Sequence, residues 1–168
     1  MAHLHVTQYN EESIRQPSKA VTLDDIRAGT FRKLVKDMLE TMYAENGIGI
    51  AAPQVGVNLR IIIVETKDGP IVMMNPVIQK KSLRKETVEE GCLSVKGIFG
   101  PVPRHRSLTV KGYDEKGESY TMQAEGLLAR IFQHEVDHLN GGLFIDRAKG
   151  ITHGTFDLKK WKRRPSSF

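Results

Sequence analysis

The run Leu127-Leu128-Ala129-Arg130-Ile131-Phe132-Gln133-His134-Glu135-Val136-Asp137-His138-Leu139 stops at Asn140-Gly141-Gly142. Leu127, Leu128, Ile131, Phe132, Val136 and Leu139 recur at helical spacing, and the Asn-Gly-Gly stop marks the predicted helix end. A helix turns about 100° per residue, so His134 and His138 project within roughly 40° of each other. Two imidazoles on one face can bind one ion, and Glu135 beside them is placed to take a proton rather than to ligate. Histidines on an apolar face are often ordinary core residues. Two of them four apart, with a glutamate after the first, favour a metal site. Such a His-Glu-x-x-His run implies attack of water on a carbonyl, without specifying the substrate.

Hydrolysis at zinc needs three protein ligands and an open position. The extended pattern His-Glu-x-x-His-x-x-Gly-x-x-His fails, because Gly141 fits its glycine but Phe144 stands at its last histidine. A glutamate from a later helix is also ruled out, since none follows Glu135. Asp146, His153 and Asp157 remain downstream, each readable as a surface group. Upstream, Cys92 is the only cysteine, in Glu90-Gly91-Cys92-Leu93-Ser94. It cannot form an internal disulfide, and a lone cysteine suits a reducing compartment. By itself it reads as a small buried hydrophobe. Gly91 permits a close backbone approach, however, and the segment reads as neither helix nor clean strand. A Cys/His/His set would leave one tetrahedral position open.

A third segment, Asn46-Gly47-Ile48-Gly49-Ile50-Ala51-Ala52-Pro53-Gln54-Val55-Gly56, joins glycines and small alanines to one side-chain amide. It lacks the third glycine and the lysine of a phosphate loop. It reads better as backbone that approaches a ligand, with Gln54 as a donor. Together the three segments resemble the peptide deformylases, which carry Gly-x-Gly-x-Ala-Ala-x-Gln, Glu-Gly-Cys-x-Ser and Gln-His-Glu-x-x-Asp-His in this order. The resemblance spans roughly residues 24 to 147, and the short interval from Gln54 to Glu90 is similar to the shorter, bacterial-type members.

The resemblance implies removal of the N-formyl group from the initiator methionine of new polypeptides, with release of formate. It implies Cys92, His134 and His138 as ligands of one divalent ion, iron(II) natively, with zinc, nickel or cobalt compatible. Glu135 would move the proton, while the Gln54 amide and the Leu93 N–H would face the developing oxyanion. Gly49 would hydrogen-bond the substrate backbone as an added strand does. Ile48, Val88, Leu127 and Ile131 would line the methionine slot, and Glu90 and Arg104 would form a supporting ion pair. Lys96 stands where the family usually has proline and Phe99 where arginine is common. The segment Tyr9-Asn10-Glu11-Glu12-Ser13 lacks the usual proline-rich turn.

A chain of 168 residues is expected to form one catalytic domain with a sizeable core. No membrane-spanning run, signal-peptide core or repeat is evident, so a soluble cytoplasmic protein is expected, with neither membrane nor DNA as partner. The pattern predicts a first helix over Asp24 to Ala44, which Gly29 could interrupt. Strands are predicted over Leu59 to Glu65, Ile71 to Met74, Lys85 to Glu89, Leu108 to Tyr113 and Ser119 to Ala124. This order gives an α+β fold, with antiparallel strands surrounding a central metal-binding helix.

The net charge is +5, and Lys159, Lys160, Lys162, Arg163 and Arg164 crowd around Trp161. A basic tail over about 154–168 reads first as solvated, and second as a contact with ribosomal RNA. Two other functions compete. A metallopeptidase would need the downstream ligand that is missing. A silent binding module at the ribosome would not need Glu135, Gln54 and all three candidate ligands together.

Overall fold

Residues 3–161 are described by the computed structural model. Their elements, in chain order, are α1 (Leu23–Arg27), α2 (Arg32–Ala44), β1 (Gly49–Ala51), β2 (Ile61–Val64), β3 (Ile71–Lys81), β4 (Lys85–Cys92), β5 (Val95–His105), β6 (Ser107–Tyr113), β7 (Ser119–Glu125), α3 (Gly126–Leu139) and α4 (Phe144–Arg147). The strands make a five-stranded antiparallel sheet, β1-β2-β3-β6-β7, and a two-stranded antiparallel ribbon, β4-β5. The helix α3 touches strands of both, so the expected α+β arrangement around a central helix is present. Its apolar side supplies Ile131, Phe132 and Leu139 to a cluster with Ile62, Val64, Met73 and Val110. No described helix is long and apolar enough to cross a membrane.

The single helix expected over Asp24 to Ala44 is in fact two. The backbone at Gly29 has φ +74°, a left-handed conformation that ends α1. The Thr22 side chain accepts from Asp25 N and caps α1. The continuing stripe of α2, Val35, Met38 and Met42, is buried against Ile50, Ile61 and Ile63.

Strand β3 runs seven residues past its expected end at Met74. Asn75 and Pro76 follow Met74, yet the ladder to β6 shifts register between Met74 and Val77 and continues. Asn75 takes φ +50°, and its side-chain amide pairs with both the N–H and the carbonyl of Val21. The proline falls inside this irregularity, where a missing N–H breaks no regular pairing.

Strand β5 was not among the expected strands, and it contains Gly97, Gly100, Pro101 and Pro103, residues that disfavour regular strands. The ribbon accommodates them through its outer edge. Phe99 N donates to His153 O, and His105 N donates to Gln133 Oε1, so this alternate set of N–H groups points away from β4. Pro101 and Pro103 belong to the same set and therefore remove no ladder bond. Cys92 is the last residue of β4 and pairs with Val95 after a register shift, so its segment is a strand end.

The C-terminal stretch also departs from expectation. Trp161 is not part of a solvated tail. Its ring packs on Tyr9 and Phe156 under the Arg15 guanidinium, and its Nε1 donates to Asp146 Oδ1 at 2.8 Å. Lys159 and Lys160 are exposed, whereas Lys162, Arg163 and Arg164 lie outside the described residues.

The turn after α3 is a sensitive point. Gly141 has φ +76°, and a Cβ there would collide with the Arg15 carbonyl. Gly141→Ala is expected to destabilise the fold by more than about 2 kcal/mol, from left-handed strain plus the clash. Urea unfolding of metal-free protein measures it, and an unchanged midpoint would contradict the account.

Candidate functional site

Helix α3 carries two of the candidate ligands and β4 brings the third. The donor atoms of Cys92, His134 and His138 lie within 4.8 Å of one another. Cys92 Sγ is 3.2 Å from His138 Nε2, and the two imidazole centroids are 5.0 Å apart. Zinc–sulfur bonds of about 2.3 Å and zinc–nitrogen bonds of about 2.0 Å would set tetrahedral donor separations of about 3.3–3.6 Å. The cluster therefore fits one small divalent ion of the borderline class that takes thiolate and imidazole together.

The electrostatics favour a cation as well. Burial pushes His134 toward the neutral form, but the charge and hydrogen bond of Cys92 and the hydrogen bond to Glu90 outweigh it and hold its pKa well above the usual value. Burial and the positive charges of His134, Arg104 and Arg15 hold His138 well below it. One positive charge thus suits the cluster and a second proton does not.

Glu90 anchors this centre from behind. Its Oε2 lies 3.0 Å from His134 Nδ1, which leaves Nε2 to face the cluster and fixes the tautomer. The same carboxylate accepts from Arg104 Nε and NH2, both at 3.0 Å, and from Arg130 NH1 at 2.6 Å. Arg104 also donates to Asp137, which in turn accepts two bonds from Arg147. The Glu90–Arg104 pair expected from sequence is therefore part of a larger buried network. Arg130 and Arg147 were missed. A charged residue inside the apolar stripe of α3, one turn before His134, was the available signal for Arg130. The contact of Arg147 joins α4 to Asp137 on α3 and has no local signature.

Burial pushes the Glu90 carboxyl up, yet the His134 and Arg104 hydrogen bonds and the Arg104 charge win and hold it well below the usual carboxylate range. A lowered folded pKa means stability that is present above about pH 4.3 and is lost as pH falls further. Glu90→Gln leaves Arg130 without a buried counter-charge and Arg104 with Asp137 alone, and is expected to destabilise metal-free protein by about 3 kcal/mol at neutral pH. The gap to the parent chain should narrow below about pH 4. Chemical unfolding of both proteins across pH 3–7 checks this, and a gap independent of pH would contradict it.

Beside the cluster, Glu135 is 3% exposed and its Oε2 has no hydrogen-bond partner. Burial is the main reason its pKa is pushed up to about 7. A Cβ on Gly49 would collide with this carboxylate and lie 2.8 Å from Ile131 Cγ2, so only glycine lets β1 pass so close. Gln54 Oε1 accepts from Ala51 N at 2.9 Å, which orients Nε2 toward Ser94 Oγ at 3.2 Å and Cys92 Sγ at 3.5 Å.

These groups border an open cleft of about 600 Å³. Ile48, Gly49, Gln54, Leu93, Leu127, Ile131, His134 and Glu135 all line it. Val88, exposed on β4, does not. At the rim, Lys96 Nζ pairs with Glu45 at 2.8 Å. Phe99 lies so close to Gly91 that a Cβ there would be 2.6 Å from its ring. The close approach anticipated at Gly91 is thus made by Phe99. Strand β1 ends the five-stranded sheet, so one of its backbone edges is free of a partner strand.

The class is defined at this point: an α+β protein whose central helix and a neighbouring strand end offer a Cys/His/His cluster to a metal ion, with a buried glutamate beside it. Known proteins narrow it. The family model described as "Polypeptide deformylase" matches residues 3–153. A peptide deformylase of Neisseria gonorrhoeae is 44% identical over 167 residues, covering 98% of each chain. One from Carboxydothermus hydrogenoformans is 47% identical over 140 residues, covering 83% of this chain and 88% of its own. Among solved structures, a peptide deformylase of Synechococcus elongatus in complex with actinonin superposes with a TM-score of 0.82 at 40% identity, over 89% of this chain and 81% of that one. The Met-Ala-Ser-bound class I type b enzyme of Acinetobacter baumannii gives 0.83 at 37% identity, over 88% and 99%. The chain belongs to the peptide deformylase family, whose members are metal-dependent hydrolases.

Proposed function

We propose that this chain removes the N-formyl group from the N-terminal methionine of newly made polypeptides and releases formate. The observation that carries the reading is the convergence of Cys92, His134 and His138 beside Glu135, in a cleft bordered by the free edge of β1. Cys92 Sγ and the Nε2 atoms of His134 and His138 would hold one divalent ion, with iron(II) proposed as native and zinc, nickel and cobalt compatible with the donor set. Such an ion supplies polarisation of the formyl carbonyl and a more acidic water.

The protein's own groups do the rest. Glu135 takes a proton from the attacking water and returns one to the leaving amine, so the amide C–N bond breaks to formate and a free N-terminus. Gln54 Nε2 and the Leu93 N–H donate to the oxyanion that develops on the formyl oxygen. Gly49 bonds the peptide backbone along the open edge of β1, as in strand addition. Ile48, Leu127 and Ile131 offer apolar surface to the methionine side chain. Action on nascent chains supports a cytoplasmic location for what is proposed to be a single catalytic domain, and the basic C-terminal residues are proposed to contact the ribosome.

The test is formate release from a formyl-methionyl tripeptide by anaerobically purified, iron(II)-loaded protein. Stoichiometric formate and a free methionyl N-terminus are expected. Cleavage of internal bonds without formate, or no reaction at all, would overturn the reading.

A further inference from the structure

On the opposite side of α3 from the metal cleft lies a second cavity, of about 300 Å³. Gln133, Val136, Asp137 and Asn140 form its helical wall, and these positions turn away from the face that bears His134 and His138. Five cationic side chains, Arg60, Lys81, Lys85, Arg104 and Arg147, line it against one carboxylate, Asp137. That carboxylate is already engaged by Arg104 and Arg147.

Arg60 is the informative member. It is half-buried in the pocket wall, and desolvation lowers its pKa. Its guanidinium donates to Asn140 Oδ1 at 2.9 Å and to Pro76 O at 3.2 Å, both neutral oxygens. It forms no ion pair with any described carboxylate, and the same is true of Lys81 and Lys85. A guanidinium carries five N–H donors, so two neutral partners leave capacity unused. The C-terminal end of α3 offers only a partial negative charge, while the two lysines add like charge. A partly desolvated cation among cations calls for an anion. Lys81 and Lys85 bring the β3–β4 turn into the pocket lining, and there Lys80, Lys81, Arg84 and Lys85 put four cations into six residues.

We infer that this pocket binds a phosphate group, held by Arg60, Lys81 and Lys85, at a site separate from the metal cleft. Planar, forked guanidinium donors match phosphate oxygens, and ammonium groups complete the charge. The phosphate could be free or could belong to an RNA strand that continues along the β3–β4 turn.

The experiment uses the zinc-loaded full chain, whose amide resonances are followed by NMR while inorganic phosphate is added at constant ionic strength. Saturable shifts are expected at Val136, Asn140 and His105. Lys81→Gln/Lys85→Gln is expected to weaken binding about tenfold, whereas the charge-matched Lys36→Gln/Lys116→Gln is not. A labelled oligouridylate, titrated by anisotropy over a salt series, forms the second arm. RNA as the source predicts binding that is displaced by phosphate, with a salt slope lowered by about one per lysine removed. Free phosphate as the source predicts phosphate binding without that RNA dependence. Absence of saturable shifts with both probes, or equal weakening by the two double variants, would overturn the assignment.

Discussion

Glu135→Gln is expected to lower turnover by about 10²–10⁴ while leaving metal content unchanged. The carboxylate makes no hydrogen bond to Cys92, His134 or His138, and its Oε2 has no partner, so its loss removes a proton carrier and not a donor. Its burial gives the substitution a second, independent signature. A carboxyl raised to about 7 binds its proton more tightly in the folded chain than in the unfolded one. The folded state therefore loses stability as pH rises from about 4.5 to about 7, by up to roughly 3 kcal/mol in metal-free protein. Glu135→Gln should lack that decline and so be the more stable protein at neutral pH. Stability given up at a functional position is a common pattern. Turnover within tenfold of the parent, at equal metal content, would sink the proton-carrier assignment. Loss of turnover with an unchanged pH–stability curve would sink the account of its environment.

Local patterns carried much of this site. His134, Glu135 and His138 are set by helical geometry alone, and their common face followed from spacing before any fold was known. Apart from the family resemblance of Glu90-Gly91-Cys92-Leu93-Ser94, Cys92 was legible only as a leftover, through the failure of downstream ligands and the glycine beside it. Its position depends on the register shift at the end of β4, which no local rule displays. Strand β5 was invisible for a related reason. Its prolines are tolerated because they fall on the outer set of N–H positions, a property of pairing and not of composition. The extension of β3 past Pro76 has the same origin. The network behind His134 joins residues up to 44 positions apart, Glu90 and His134 among them, and rests on packing of α3 against the ribbon. Long-range burial decided each of these cases, and sequence periodicity reports only which face is apolar.

Cys92→Ala is expected to weaken metal binding by at least about 10², the upper part of the range seen when even a supporting partner is removed. The argument is one of donor count. His134 and His138 alone leave two positions for water, and neutral imidazoles provide no charge to offset the dication. The thiolate provides both a soft donor and that charge. Removing the sulfur also removes the attraction that raises His134, so protons compete less with the metal there. The sulfur is still the larger effect, because the protonated ring was already opposed by burial. Linkage turns the affinity loss into a stability difference. When metal is in large excess, each tenfold rise in Kd subtracts about 1.4 kcal/mol from the stabilisation that the ion confers. The metal-dependent rise in Tm should therefore shrink sharply in Cys92→Ala, measured for each protein against its own metal-free form. Dialysis against a graded chelator series, with metal content and unfolding followed together, reads both quantities. Equal retention by parent and variant would move the third ligand away from Cys92 and back to the downstream residues Asp146, His153 or Asp157. Of these, Asp146 is already bound to Arg15 and Trp161.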